Sequence, residues 1–265
     1  MSRPRNRRVY KINTGGVNER RVCMAHRLGW YLAYFSHWNS GVYMSEHIIS
    51  WGGGVNSTAI IALHLLGKLK GKPEIVFADT GCEYPETYAY INDVGNMLVR
   101  DGWKVTVLRP YTHREYYGSK VKDDLYQYLW DRKDVPTFRS RPCTIEYKKA
   151  PIKRYAKGCK QMIGICKDEL KRIKDEPDKI YPVKDYTRDG CVWLIGKAGL
   201  PLPIKSGCYL CPFQNKARWI GLYENHRDLW DKTVALEENS KYTLRRGITI
   251  KDQMKKWCIK SIKGE

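Results

Sequence analysis

The sequence predicts an α/β protein: an open parallel sheet with helices on both faces, followed by a helical, cysteine-containing C-terminal part. Three observations predict it. Short apolar runs alternate with helical stretches from His47 to Val183. These runs read as buried strands of a parallel sheet. Three adjacent glycines, Gly52 to Gly54, separate the first run from the first helix. Right-handed crossovers would then align the strand ends along one edge, where ligands bind.

Each element follows in order. His47 to Trp51 is a short apolar strand that ends in the glycines. Asn56 is placed to cap a helix over Ser57 to Leu69, with Ile60, Ile61, Leu63 and Leu65 on its buried side. Glu74 to Ala78 is the second strand. Pro85 opens a helix at a first-turn position, running to about Arg100. Lys104 to Leu108 is the third strand. Helices are expected over 119–132 and 144–157, and further strands over Lys160–Ile165 and Lys179–Val183. The last eighty residues read as helical and loop-rich. Three regions are expected: a basic extension over 1–43, an α/β domain carrying the glycine loop over 44–185 and a helical region with Cys-x-x-Cys over 186–265. The extension carries eight Lys or Arg and one Glu. It reads as a basic arm, a docked subdomain or sequence preceding a start at Met44.

Lys and Arg number 48 against 28 Asp and Glu, a formal charge of +20 over 265 residues. Such a field attracts polyanions, nucleic acid first among them. Of the 32 aromatic residues, 28 are Tyr or Trp. Amphipathic rings beside Arg and Lys suit base stacking, and equally suit half-buried helix faces. No apolar run reaches the ~18 residues that span a bilayer. The patch from Leu28 to Phe35 is followed by His37 and Trp38 rather than small residues, so it does not read as a signal peptide. Nine cysteines without such a leader argue for a reducing, cytoplasmic setting and against a disulfide framework.

The stretch Ser50-Trp51-Gly52-Gly53-Gly54-Val55-Asn56-Ser57-Thr58 sits between strand and helix. Its glycines let backbone N–H groups approach an anion, and the helix directs its positive end to the same place. Ser50, Ser57 and Thr58 add hydroxyls. Without Gly-Lys-Ser/Thr it is not a Walker A loop. It resembles the PP-loop of the adenine nucleotide α-hydrolase superfamily, usually Ser-Gly-Gly-Lys-Asp-Ser. Gly53, Gly54 and Ser57 match; Val55 stands for the usual Lys and Asn56 for the usual Asp.

Three more segments resemble the phosphoadenosine phosphosulfate (PAPS) reductase branch of that superfamily. Asp79-Thr80-Gly81-Cys82-Glu83-Tyr84-Pro85-Glu86-Thr87 matches its Asp-Thr-Gly, Glu and Pro-Glu-Thr. Cys143 to Pro151 matches Cys-x-x-x-x-Lys-x-x-Pro through Lys148. Gly164 to Arg172 matches Gly-Ile-x-x-x-Glu-x-x-Arg through Glu169 and Arg172. The resemblance covers roughly residues 46–235 and implies an adenine nucleotide α-hydrolase-like fold of the HUP type. It implies an adenine nucleotide, ATP or PAPS/APS, held by Ser50, Gly52, Gly53, Gly54, Asn56, Ser57, Thr58, Asp79, Thr80 and Gly81. Asp79, Glu169, Lys148 and Arg172 become candidate catalytic groups. Carboxylates there suit Mg²⁺ and cations suit transferring phosphates.

Cys208-x-x-Cys211-Pro212 has a metal-ligand spacing. Cluster-bearing sulfonucleotide reductases use such a pair with adjacent cysteines in the segment matched by Cys143. The resemblance therefore implies a [4Fe-4S] cluster on Cys143, Cys208 and Cys211, with Cys191 or an open position as the fourth ligand. A structural zinc or a metal-free dithiol are the alternatives. The branch's C-terminal Glu-Cys-Gly-x-His has no match here; the last cysteine stands in Lys256-Trp257-Cys258-Ile259-Lys260. Two enzymatic expectations follow: ATP-dependent sulfur transfer to tRNA or DNA with a sulfur donor, or sulfonucleotide reduction with a thioredoxin-like reductant. A third is a nucleotide-binding module, weakened at Val55 and Asn56, serving a nucleic-acid complex.

Overall fold

The computed structural model describes residues 46–112 and 123–262, with side chains to 257. The 1–43 extension, the expected helix start at 119–122 and the Cys258 side chain lie outside them. Five parallel strands form one sheet in the order β3-β2-β1-β4-β5. They are β1 (His47–Ser50), β2 (Glu74–Ala78), β3 (Val105–Leu108), β4 (Lys160–Ile163) and β5 (Lys179–Ile180). From β1 the chain builds outward through β2 and β3, then returns to add β4 on the other side of β1. Ser50 is in register with Val76 of β2 and with Ile163 of β4. The gap beyond β1 and β4 is thus the place where strand order reverses, and such a gap receives ligands.

The central strands β1 and β2 are buried on both faces and are mostly apolar, while the outer strands are only partly covered. On one face Ile49, Ile75 and Phe77 pack with α1 (Val55–Leu65), α2 (Pro85–Arg100) and α5 (Arg188–Lys197). On the other, Ile48, Val76 and Leu108 pack with α4 (Ala150–Tyr155) and its following turn. Successive residues of β1 and β2 supply opposite faces because a strand alternates its side chains. A second core gathers Tyr147, Trp219, Leu222, Trp230 and Leu236 with α3 (Leu125–Asp131). It is closed by α6 (Lys216–Asn225), α7 (Arg227–Asn239) and α8 (Ile250–Ile262). Among the described residues no helix is long and apolar enough to cross a membrane.

Four expectations are corrected in detail. The first helix starts at Val55 with Gly54 as its cap; Asn56 lies inside the first turn and sends its side chain elsewhere. It stops at Leu65, where Gly67 N–H donates to the His64 carbonyl and Lys68 N–H to Leu63. The helix expected over 144–157 begins as a wide π turn, Cys143–Lys149, before α4. Pro151 has no N–H to return to a carbonyl four residues back, and the wider winding relieves that conflict. The last two strands are shorter than expected. β4 ends at Ile163 because Gly164 must pass against the start of α1, and β5 follows it for only two residues.

Candidate functional site: an anion pocket beside a thiol group

The β1–α1 turn opens on a cavity of about 720 Å³, within the size range of small-ligand pockets. Ser50, Gly52, Gly54, Val55, Asn56 and Ser57 line one side; Ile163, Gly164, Glu169, Arg172, Arg188, Lys205 and Ser206 line the other. Close backbone packing shapes it. A Cβ on Gly164 would lie 2.5 Å from Ser57 N, so only glycine lets β4 end against the loop. Gly53 takes φ +65, and a Cβ there would meet Ile91 Cδ1 at 2.9 Å. Ser57 Oγ accepts from Gly52 N–H at 3.3 Å and donates to the Gly54 carbonyl at 3.1 Å, which closes the turn.

The charges are one-sided. Arg172, Arg188 and Lys205 bring three cations to the cavity against the single carboxylate of Glu169. That carboxylate is already engaged: Oε2 accepts from Asn56 Nδ2 at 3.0 Å and Oε1 from Arg172 Nη1 at 2.8 Å. Ser50 Oγ and Asn56 Oδ1 are buried with no hydrogen-bond partner among the described residues. Buried orphans of this kind mark places where a ligand completes the bonding. The N-terminus of α1 adds its unpaired N–H groups and positive dipole end. The arrangement suits a polyanion such as a nucleotide's phosphates.

Several expected residues stand outside this lining. Thr58 is fully buried and accepts from Trp51 Nε1 at 3.0 Å, so it braces the loop from within the core. Asp79, Thr80 and Gly81 do not line the cavity. The Asp79 carboxylate accepts from Gly81 N–H at 2.8 Å, Tyr88 Oη at 2.7 Å, Arg109 Nε at 3.0 Å and Tyr111 Oη at 3.4 Å. It is the hub of a hydrogen-bond network; burial and the adjacent Asp79 charge hold both tyrosine hydroxyls well above their usual range. Lys148 is absent from the cavity as well. Its Nζ donates to buried Glu83 Oε1 at 2.7 Å. Burial works against that ammonium, but Glu83 outweighs it and raises its pKa.

Lys148 and Glu83 belong to a second group, the thiols. A short antiparallel bridge joins Glu83 to Cys208: Tyr84 N–H donates to the Gly207 carbonyl at 3.2 Å, and Tyr209 N–H to Cys82 at 3.1 Å. This brings Cys82 beside Cys208, whose thiol is raised by burial and then by Cys82. Cys143 and Cys211 are raised by burial first, with Cys208 adding to both. Cys191 lies elsewhere. It sits fully buried in the first core, near Cys166, and burial pushes its thiol up to about 12. Helix α5, which carries it, packs against α1, and that packing takes it away from Cys208. The structure thus gathers Cys82 with Cys143, Cys208 and Cys211. Among the described residues no three His, Cys, Asp or Glu side chains are arranged to hold a single metal ion.

The two groups are neighbours along the chain. Lys205 and Ser206 line the anion pocket, and Cys208 enters the thiol group only two residues later. Arg218 holds this stretch, donating to the Lys205 carbonyl at 2.5 Å while its guanidinium lies 4.7 Å over the Tyr84 ring. Sequence reasoning missed Arg188, Lys205, Ser206 and Cys82. No motif spacing marks the first three, and Cys82 is separated from Cys208 by 125 intervening residues.

No curated protein matches the chain. Residues 46–177 match the family model of the phosphoadenosine phosphosulfate reductase domain, a span running from β1 through Arg172. Arg188, Lys205 and the Cys208–Cys211 pair lie beyond it. With its PP-loop turn at the strand-order reversal and its five-stranded parallel sheet, the chain belongs, through this domain, to the phosphoadenosine phosphosulfate reductase family of PP-loop, nucleotide-utilising enzymes.

Proposed function

We propose that the protein binds ATP at the β1–α1 turn and uses it for sulfur transfer to a nucleic acid. The observation that carries this reading is the cavity itself: three cations and a helix N-terminus converge on the glycine turn, beside orphaned Ser50 Oγ. In the reaction a carbonyl oxygen of the acceptor base attacks the α-phosphorus of ATP. The bond to the bridging oxygen breaks and pyrophosphate leaves with the electron pair. Arg172, Arg188 and Lys205 neutralise that departing charge, which is stabilisation placed where the transition state develops it. A sulfur donor at the hydrosulfide level then adds to the activated carbon, AMP departs, and the base carries sulfur in place of oxygen with one proton released. Glu169 is the carboxylate that can share Mg²⁺ with the phosphates, since this ion takes one or two carboxylates and substrate oxygens.

The thiol group supports the sulfur chemistry. Cys143, Cys208 and Cys211, with Cys82 alongside, are an all-sulfur donor set, the donor chemistry of a [4Fe-4S] cluster rather than of a single ion. As a cluster it would supply an iron at which sulfur is delivered. Lys148 and Glu83 border this set and fix a charge pair beside it. The reducing alternative, sulfonucleotide reduction to sulfite, is favoured by the family's own description.

The test is anaerobic incubation with α-labelled ATP, Mg²⁺, hydrosulfide and bulk tRNA or DNA. AMP release and a thionucleoside by mass spectrometry are expected, and Lys205→Ala should lose both. No AMP and no thionucleoside overturns the reading; sulfite from PAPS with thioredoxin as reductant replaces it with the reductase. Iron and sulfide content of Cys208→Ser and Cys191→Ser decides the ligand set: loss in the first and retention in the second is expected.

A further inference from the structure

Two phenylalanines stand exposed beside the thiol group. Phe138 and Phe213 are each about half exposed, and their rings meet edge to face at 4.7 Å. The Arg141 guanidinium lies 5.5 Å over the Phe213 ring. Exposed rings in mutual contact with a cation above them offer a flat apolar face with a charge at its edge, a surface able to take a planar partner. They are also held in place. Thr137 Oγ1 accepts from Ser140 N–H at 2.9 Å and Arg139 N–H at 3.3 Å, and Thr137 N–H donates to the Ser140 carbonyl, which closes the turn that presents Phe138. Buried Gln214 anchors Phe213 from the other side, accepting from Tyr84 Oη at 2.5 Å and donating to the Tyr209 carbonyl at 2.9 Å.

From this we infer that Phe138, Phe213 and Arg141 form a stacking platform for an unpaired base of a single-stranded nucleic acid. The inference rests on the nucleic-acid reading above and names where that substrate docks. The occupant follows from charge. Residues 132–149 carry six Lys or Arg against two Asp or Glu, and Arg139, Arg141 and Lys149 are exposed. A rigid aromatic face bordered by guanidinium groups fits a base and its phosphates. Position supports it too. Arg141 stands two residues before Cys143 and Phe213 two after Cys211, so each is at most about 7 Å of backbone from a group thiol. A base stacked here lies next to the sulfur-handling side of the site. Trp193 is a rival surface: it is exposed, with Lys68 and Lys197 over its ring, but sits on α5 away from the thiols.

The experiment is fluorescence anisotropy of the full-length protein with labelled single-stranded oligonucleotides. Each is offered with bases and as an abasic strand of equal length. The wild type is expected to prefer the base-bearing strand. Phe138→Ala/Phe213→Ala should lose about tenfold or more of that affinity and bind both strands alike. Arg141→Ala should weaken binding and flatten its salt dependence. Phe138→Leu/Phe213→Leu keeps the apolar bulk and should still lose the preference for bases. Trp193→Ala should bind as the wild type does, and ATP binding by every variant checks that the fold is intact. A phenylalanine double variant that binds like the wild type overturns the platform while leaving the sulfur-transfer reading intact, as does loss confined to Trp193→Ala. A wild type that binds neither strand overturns both.

Discussion

Glu169 grips Asn56 and Arg172 at once, one with each carboxylate oxygen, although 113 positions separate it from Asn56. The loop's usual aspartate is missing at 56, and the carboxylate arrives instead from the far side of the pocket. An aspartate at 56 would face Glu169 at about 3 Å, and two such charges repel. Asn56→Asp should therefore lower ATP affinity about tenfold, and Glu169→Gln should lower it by replacing the charged hold on Arg172 with a neutral one. In the double variant the new amide at position 169 can donate to the new carboxylate at position 56, while its oxygen accepts from Arg172. That pair should recover to within about threefold of the wild type, a coupling of roughly 1–2 kcal/mol. Titration calorimetry of the four proteins measures it, and additive losses would refute the pairing.

Lys205 and Arg188 supply the positive charge that the loop lacks at Val55. Val55 borders the pocket but is buried in the first core, so a lysine there would have to displace apolar neighbours to reach the phosphates. Lys205→Ala and Arg188→Ala should each weaken ATP about tenfold, as expected for one charge-assisted hydrogen bond, and leave adenosine binding nearly unchanged. Val55→Lys should not restore affinity in the Lys205→Ala background and should lower thermal stability by burying an unpaired charge. Equal loss for ATP and adenosine would show that these residues act on the fold rather than on phosphates.

The sheet and the loop were legible because their signals are local. Apolar runs of four or five residues, the glycine triplet and Pro85 each fix a nearby backbone choice. What could not be read is what the strand order brings together. Lys205 lies 42 positions beyond Ile163, the end of β4, on a stretch without periodicity, and the bridge between Glu83 and Cys208, with Arg218 on the Lys205 carbonyl, holds it at the pocket. Cys191 shows the converse. It is a candidate fourth ligand in the sequence, yet the apolar face of α5, with Leu194 and Ile195, draws it into the first core. Asp79 matches a motif and stands at a strand end, but four donors consume its carboxylate. Motif identity fixed its position; the neighbours Tyr88, Arg109 and Tyr111 fix its hydrogen bonds.

Asp79 accordingly predicts a stability defect. It is buried, and Asp79→Asn removes a charge on which Arg109 and two tyrosine hydroxyls depend. Breaking a buried pair from one side costs about 3–5 kcal/mol. Arg109 keeps part of its exposure, so the lower end applies. Urea unfolding should show the loss, while ATP affinity of the folded protein should change less than about threefold. A stable variant that no longer turns over ATP would instead make Asp79 a catalytic residue.

His64 sets an acid limit on stability. It is buried in the last turn of α1, its Nδ1 lies 3.0 Å from the Gly71 carbonyl, and its ring meets Trp103 edge-on at 5.9 Å. A carbonyl partner requires the proton on Nδ1. Nε2 is buried without a partner among the described residues, so a second proton there would be an unsatisfied charge. Burial therefore lowers the imidazole pKa below 6.5, against the pull of the Gly71 carbonyl and with the help of His47. The unfolded chain takes up its proton near 6.5 and the folded one only at lower pH. Between those values the unfolded state binds more protons, and stability falls as pH falls, by at most about 1.4 kcal/mol per pH unit. The contribution is fully present above 6.5 and is lost as pH drops through the lowered value. His64→Gln can still donate to Gly71 but cannot titrate. Urea unfolding of both proteins at about pH 7.5, 6.5 and 5.5 should show the wild type losing ground to the variant at each step. A constant difference across that range would mean that His64 keeps its ordinary proton affinity when folded.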